Sequence, residues 1–223
     1  MKIVSWNCRG KFREKFHLLR DVEADIYVIQ ECEDPNKYPE EYATFNKQCF
    51  WYGDSANKGL GVFFNSELKV KQNKWETYCL RNFISLRIND IFNLLGVWAC
   101  YPYIEEYFIY QSINYKYYDS DMVIIGDFNS NYIWDKKHGK RNHGEVVKML
   151  ESKGLVSAYH YTTSENQGKE TQKTFYLYKH IDKSYHIDHC FANREKIKSY
   201  SIYGEDIWLK YSDHRPIEII VDY

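Results

Sequence analysis

The sequence predicts an α/β protein in which two mixed β-sheets pack face to face with helices on the outside. Two observations predict it. Short β-branched apolar runs alternate with stretches of helical periodicity, and a helix–strand unit followed by a meander of short strands occurs twice, before and after Glu105. Most of these runs also end in a small polar cluster, the pattern of strands that carry chemistry at one rim. The chain has 223 residues and no Pro/Gly/Ser-rich linker, so a single domain over residues 1–223 is expected.

The elements follow in order. Residues 2–6 alternate as a strand and end in the turn-prone Asn7-Cys8-Arg9-Gly10. Phe12, Phe16 and Leu19 then recur at helical spacing. Residues 25–30 form a β-branched run with Glu31 at its carboxyl end. Runs at 60–64, 75–79, 83–88 and 91–100 read as short strands, with Asn89-Asp90 as a hairpin turn. A helix is expected over 105–117, then a strand over 122–125. Asn142 and Glu145 resemble a capping box for a helix whose apolar face is Val146, Val147 and Leu150 and whose stop is Gly154. From Leu155 onward the tail reads as strands.

Composition narrows the class. Thirty Lys+Arg against 31 Asp+Glu give a net charge of −1, which is not the charge of a protein that grips long duplexes by electrostatics alone. The six cysteines (Cys8, Cys32, Cys49, Cys79, Cys100, Cys190) form no C-x-x-C pair, which argues against zinc. Their even number would permit three disulfides in a secreted chain, but Cys8, Cys32 and Cys190 lie within three residues of acidic or amide cluster members, so free thiols in a reducing compartment are the expectation. No apolar run is long enough for a membrane span, and no signal peptide is recognisable at the start. A cytoplasmic monomer without an obligate protein partner is the expectation.

Six clusters carry the chemistry: Ser5-Trp6-Asn7, Gln30-Glu31, Tyr101-Pro102, Gly126-Asp127-Phe128-Asn129-Ser130, His186-Ile187-Asp188-His189 and Ser212-Asp213-His214-Arg215-Pro216. Asp127 and Asn129 are two residues apart, so an extended segment aims both one way. A carboxylate beside an amide can take a proton from water while the amide orients the water or a phosphate oxygen. Glu31 ends a buried run, where a carboxylate needs a partner or a metal. An Asp from one strand end can fix the tautomer of a His from another, as Asp188 could for His214. Taken singly, these are equally an Asx turn, an ion pair and a structural Asp–His pair.

In this order and spacing the clusters resemble the endonuclease/exonuclease/phosphatase superfamily, the fold of deoxyribonuclease I and exonuclease III. The resemblance runs from Trp6-Asn7 to Ser212–Pro216 and implies a four-layer α/β sandwich that hydrolyses phosphoester bonds with magnesium or manganese. It assigns Glu31 as principal metal ligand, Asn7 to the metal shell or phosphate, and Asp213 to the metal or its waters. It assigns Asp127 to the attacking water, Asn129 to the scissile phosphate and His214, oriented by Asp188, to the phosphate. Tyr101 falls where such proteins place a phosphate-contacting Tyr or His, with Cys100 the alternative if the alignment shifts by one.

The substrate is less marked. After Gln30-Glu31 the abasic-site endonucleases carry Thr-Lys, whereas this chain has the acidic Cys32-Glu33-Asp34. Lys136, Lys137, Lys140 and Arg141 form a basic loop after Trp134 that could hold a polynucleotide backbone or a polyphosphate, and Phe175 is either a stacking wall beside it or a core residue. A metal-dependent nuclease acting on DNA or RNA is the first expectation. A phosphodiesterase or phosphatase for a small phosphorylated metabolite or cyclic nucleotide is the alternative.

Overall fold

A parallel strand pair sits at the centre of each of two six-stranded sheets, and everything else in the chain is arranged around these pairs. The computed structural model describes residues 1–223. The first half supplies β1 (Lys2–Asn7), β2 (Ile26–Cys32), β3 (Gln48–Ser55), β4 (Lys58–Phe64), β5 (Val70–Gln72), β6 (Phe83–Ile88) and β7 (Phe92–Trp98). The second supplies β8 (Met122–Asp127), β9 (Leu155–Ser157), β10 (Phe175–Tyr176), β11 (Ser184–Tyr185), β12 (Asp188–Asn193), β13 (Ile197–Ile202) and β14 (Ile217–Val221). The helices are α1 (Pro39–Ala43), α2 (Ile104–Asn114), α3 (Asp135–His138), α4 (His143–Glu151), α5 (Ala158–Thr163) and α6 (Glu205–Tyr211).

The first sheet runs β13-β14-β1-β2-β4-β3 and the second β5-β6-β7-β8-β12-β9. β1 pairs parallel with β2, and β7 with β8; every other pairing in the two sheets is antiparallel. Parallel neighbours need a crossover that leaves the sheet and returns. The 3-10 turns Phe12–Glu14 and Phe16–Val22 supply one crossover and α2 the other.

Burial follows the two-residue period of the strands. Ile26 and Val28 of β2 point between the sheets, into a core of 20 buried residues shared with Val62, Ile84, Leu94 and Ile125. Tyr27 and Ile29 point outward, under Phe12, Phe16 and Trp208. The outer face of the second sheet is covered by α2 and α4 through Tyr107, Tyr110, Val146 and Leu150. This is the four-layer α/β sandwich. At Gly96 the sheets approach so closely that a Cβ would meet Val28 and Val62 at 3.1 and 3.2 Å.

Several local expectations change. The run at 75–79 forms no strand: Trp75 stacks on Tyr117 and Tyr118 with ring centres 5.5 and 5.6 Å apart, so ring packing replaces ladder pairing. The short strand there is β5 instead. The Phe12–Leu19 stripe is 3-10 rather than α, interrupted at Lys15 (φ −123°, ψ −15°). β3, an edge strand of mixed polarity, carries no clear alternation and was not expected. The tail is not all strand, since α5 and α6 lie within it. The basic segment is partly helical, as α3, rather than a free loop. Asn142 does cap α4, its Oδ1 accepting from Glu145 N at 2.9 Å, but the Glu145 carboxylate pairs with Lys148 instead of closing the box. Asn89 and Asp90 make the hairpin turn in left-handed conformations that short polar side chains tolerate.

Candidate active site

The strand directions deliver the polar clusters to one rim of the sandwich. β1 and β8 end there with Asn7 and Asp127, β2 arrives with Glu31 one residue before its end, and β12 begins there with Asp188, paired across from Asp127. His214 precedes β14, which returns antiparallel beside β1. At Glu31 a register shift between Gln30 and Cys32 interrupts the ladder, and the residue sits at φ 62°. Such a bulge turns one side chain away from the strand's alternation, here toward Asn7.

The contacts form a closed set. Asn7 Nδ2 donates to Asp127 Oδ2 at 3.0 Å and to Glu31 Oε1 at 3.3 Å. Asn129 donates through its backbone N to Asp127 Oδ1 (2.8 Å) and through Nδ2 to Asp127 Oδ2 (3.1 Å) and Ala99 O (3.1 Å). His214 Nδ1 lies 2.9 Å from Asp188 Oδ2, and its Nε2 lies 3.9 Å from Asp127 Oδ2. Asp127, Asp188 and His214 are all buried and offer ligand atoms within 4.8 Å of one another, a group that could hold a metal ion.

A second tier of contacts holds these residues. Gln30 Nε2 donates to Ser5 Oγ and to Val97 O, bridging the two sheets beneath the site. Ser212 Oγ donates to Asn7 O at 2.7 Å and accepts from His214 N at 3.1 Å; Trp6 Nε1 donates to His214 O. Thr174 Oγ1 accepts from Asp188 N. Glu33 clamps the first crossover by accepting from Phe12 N and Arg13 N, so the acidic residue after Cys32 is a buried structural group rather than one facing a substrate.

Burial sets the electrostatics. Desolvation pushes Asp127 up to about 7, against the lowering effect of His214 and with a further push from Asp188. Burial works to lower His214, but the charges of Asp188 and Asp127 and the Asp188 hydrogen bond outweigh it and raise the imidazole to about 9. At neutral pH this gives an imidazolium held between carboxylates, next to a carboxylate able to take up a proton.

The remaining expected residues lie around this centre. Asp213 is 3.5 Å from Arg9 Nε, and Glu31 Oε2 is 3.1 Å from Lys58 Nζ, an ion pair that no local spacing announces. Asn7 faces the carboxylates with its amide nitrogen while its oxygen accepts from Arg9 N, so it is oriented here as a donor rather than as an oxygen ligand. Tyr101 is 84% exposed, makes no hydrogen bond, and stands with Lys58 and Trp98 on a separate hollow of about 480 Å³. Phe175 packs on His214 with ring centres 4.7 Å apart. It lines an apolar hollow of about 430 Å³ with Asn129, Trp134, Lys137 and Tyr185. Tyr185 was not among the expected residues, nor were Arg9, Lys58 and Thr174. Of the basic segment Lys137 and His138 reach that hollow: Lys136 faces another depression, Arg141 pairs with Glu105 at 3.5 Å, and Lys140 is exposed.

Known structures share this architecture. No family model matches the sequence, and no curated protein matches it. A 3′-5′ exonuclease from Neisseria meningitidis superposes with a TM-score of 0.77 at 20% identity over 100% of both chains. An AP endonuclease from Archaeoglobus fulgidus gives 0.75 at 17%, again over 100% of both. An endonuclease/exonuclease/phosphatase family protein from Leptotrichia buccalis gives 0.69 at 17% with the same coverage. The chain has the endonuclease/exonuclease/phosphatase fold. At this sequence distance the likeness shows the fold alone.

Proposed function

We propose that this protein is a divalent-metal-dependent phosphodiesterase that cleaves nucleic acid strands. The observation that carries this reading is the buried Asp127–Asp188–His214 group, flanked by Asn7, Asn129 and Glu31 on one rim. Oxygen donors from Glu31, with Asp213 nearby, suit a hard cation such as magnesium or manganese. When bound, that ion supplies neutralisation of charge on the phosphate and the leaving oxygen.

In this reading the chain's own groups do the rest. Asp127 takes the proton of the attacking water, a role that its raised affinity for protons suits near neutral pH. Asp188 holds Nδ1 of His214, leaving Nε2 to donate to a phosphate oxygen as charge develops. Asn129 and Asn7 donate from fixed amides. The hollow of Trp134, Phe175 and Lys137 offers ring faces and a cation, the combination that stacks a base and tracks a backbone.

The neighbouring structures are a 3′-5′ exonuclease and an AP endonuclease, which supports a polynucleotide substrate. The net charge of −1 favours the alternative, a small phosphorylated metabolite or cyclic nucleotide. A panel of single- and double-stranded DNA, abasic DNA, RNA and a small diester, each with magnesium, manganese or EDTA, separates the two. The nuclease reading expects metal-dependent strand cleavage that Asp127→Ala and His214→Ala abolish. Turnover of the small diester alone would move the function to small phosphoesters.

A further inference from the structure

Three cations converge beside the candidate active site, where the Asp213 carboxylate pairs with one of them and Glu14 acts on another. Lys15 Nζ donates to Cys8 O at 2.7 Å and to Tyr211 O at 2.9 Å. Lys179 Nζ donates to Lys210 O at 3.1 Å. Arg9 Nε is 3.5 Å from Asp213 Oδ2. Their anchor points, residues 210, 211 and 213, lead directly into His214.

The backbone around these cations is unusual. Arg9 sits at φ 56° and Lys179 at φ 62°, the latter after Tyr178 at φ 54°. Left-handed backbone at residues other than glycine is strained and persists where the surroundings impose it. The Lys15 ammonium is held below its ordinary pKa by burial first, then by the nearby charges of Lys179 and Arg9. The carbonyl end of α6 accounts for a capping cation. It does not account for three gathered at one place, of which only Arg9 is in a salt bridge.

Building on the phosphodiesterase reading above, we propose that Arg9, Lys15 and Lys179 form a subsite for the phosphate adjacent to the scissile one, which makes the substrate a polynucleotide strand rather than a single-phosphate ester. The flanking phosphate supplies the negative charge that this cluster lacks. A dinucleoside monophosphate or a simple diester carries no such group and gains nothing from the cluster. A strand gains binding that weakens with salt, because its phosphates release counterions on contact.

Lys179 is the residue to vary, since Lys15 also holds two main-chain carbonyls. The test is steady-state cleavage of a short single-stranded oligonucleotide and of a dinucleoside monophosphate across a salt series, with magnesium present. Lys179→Gln should raise KM for the oligonucleotide roughly fivefold, and Lys179→Glu more. Lys179→Gln should also flatten the dependence of log KM on log salt by about 0.7, the value for one phosphate contact on a single strand. Lys179→Arg should restore both, and none of the three should alter turnover of the dinucleoside monophosphate.

An unchanged oligonucleotide KM and salt slope, with only a fall in Tm, would reduce Lys179 to a helix cap and overturn the subsite. Equal losses on both substrates would place Lys179 at the catalytic centre instead, which also overturns it. Wild-type protein that hydrolyses the dinucleoside monophosphate but no oligonucleotide would remove the subsite and leave the phosphodiesterase reading standing. Inactivity on both would remove that reading and the subsite with it.

Discussion

His214 is buried between two carboxylates, and in the proposed mechanism its protonation bears on both chemistry and stability. Its second nitrogen faces Asp127 only because Asp188 holds the first. Asp188→Asn keeps the shape but no longer favours the Nδ1-protonated, charged ring; kcat should fall about a hundredfold or more with KM little changed. A loss below about threefold would remove Asp188 from the chemistry. The raised affinity of His214 for its proton also has a signed consequence. A group whose folded pKa lies above its unfolded value stabilises most below the unfolded value, here 6.5, and loses that contribution as pH rises through about 9. In EDTA, the urea stability gap between wild type and His214→Gln should therefore be widest below pH 6.5 and close toward pH 9. A gap that widened with pH would contradict the charged, doubly paired imidazole. At this scale Asn7, Glu31, Asp127, Asn129, Asp188 and His214 were legible because each stands at the end of an apolar run, and a run's end is where a strand delivers its cargo. Lys58, Arg9 and Thr174 were not, because their partners lie across the fold. Tyr101 adjoins a strand end too, yet its side chain points to solvent.

At the scale of elements, the site depends on how closely β7 and β8 run together. Gly126 precedes Asp127 at φ 155°, and a Cβ there would fall 1.9 Å from Val97 O, inside the parallel ladder. Gly126→Ala must push the strands apart, so a loss of roughly 3 kcal/mol or more is expected, read as a drop in the urea midpoint. A stable, fully active Gly126→Ala protein would show that the two strands are not locked in this register. Elements were legible where sequence period and tertiary demand agree, as in the buried β2 and β8. They were misread where aromatic packing overrides local pattern. Trp75 is spent on a stack with Tyr117 and Tyr118, so its run never joins a sheet. β3 pairs on one side only, and an edge strand has no obligation to alternate cleanly.

Over the whole molecule, the two sheets offer the same device twice: a parallel pair at a sheet centre whose carboxyl ends meet at one rim. That repetition is why the layer architecture was readable from strand order alone, while the substrate, which depends on loops, was not. A different set of residues sets acid tolerance. His143, His186 and His189 are buried behind the Asp188 strand with ring centres 4.6 Å (143 to 189) and 5.1 Å (186 to 189) apart. Desolvation lowers all three, His143 to about 3 and His186 to about 4. A histidine whose folded pKa is depressed supports the fold above its unfolded value of 6.5 and ceases to as pH falls toward the folded value. Stability should thus drop steeply between pH 6.5 and 4, and His186→Gln should make the drop shallower. A flat acid profile in this window would mean that the cluster is solvated.

The most direct single measurement is the initial rate of strand cleavage on a labelled single-stranded oligonucleotide with magnesium, with and without excess EDTA, for wild type beside Asp127→Asn. Cleavage that EDTA stops, and that Asp127→Asn lowers by about a thousandfold or more while Tm holds, is the expected result. Cleavage that survives either change would contradict a metal-assisted water activated by Asp127.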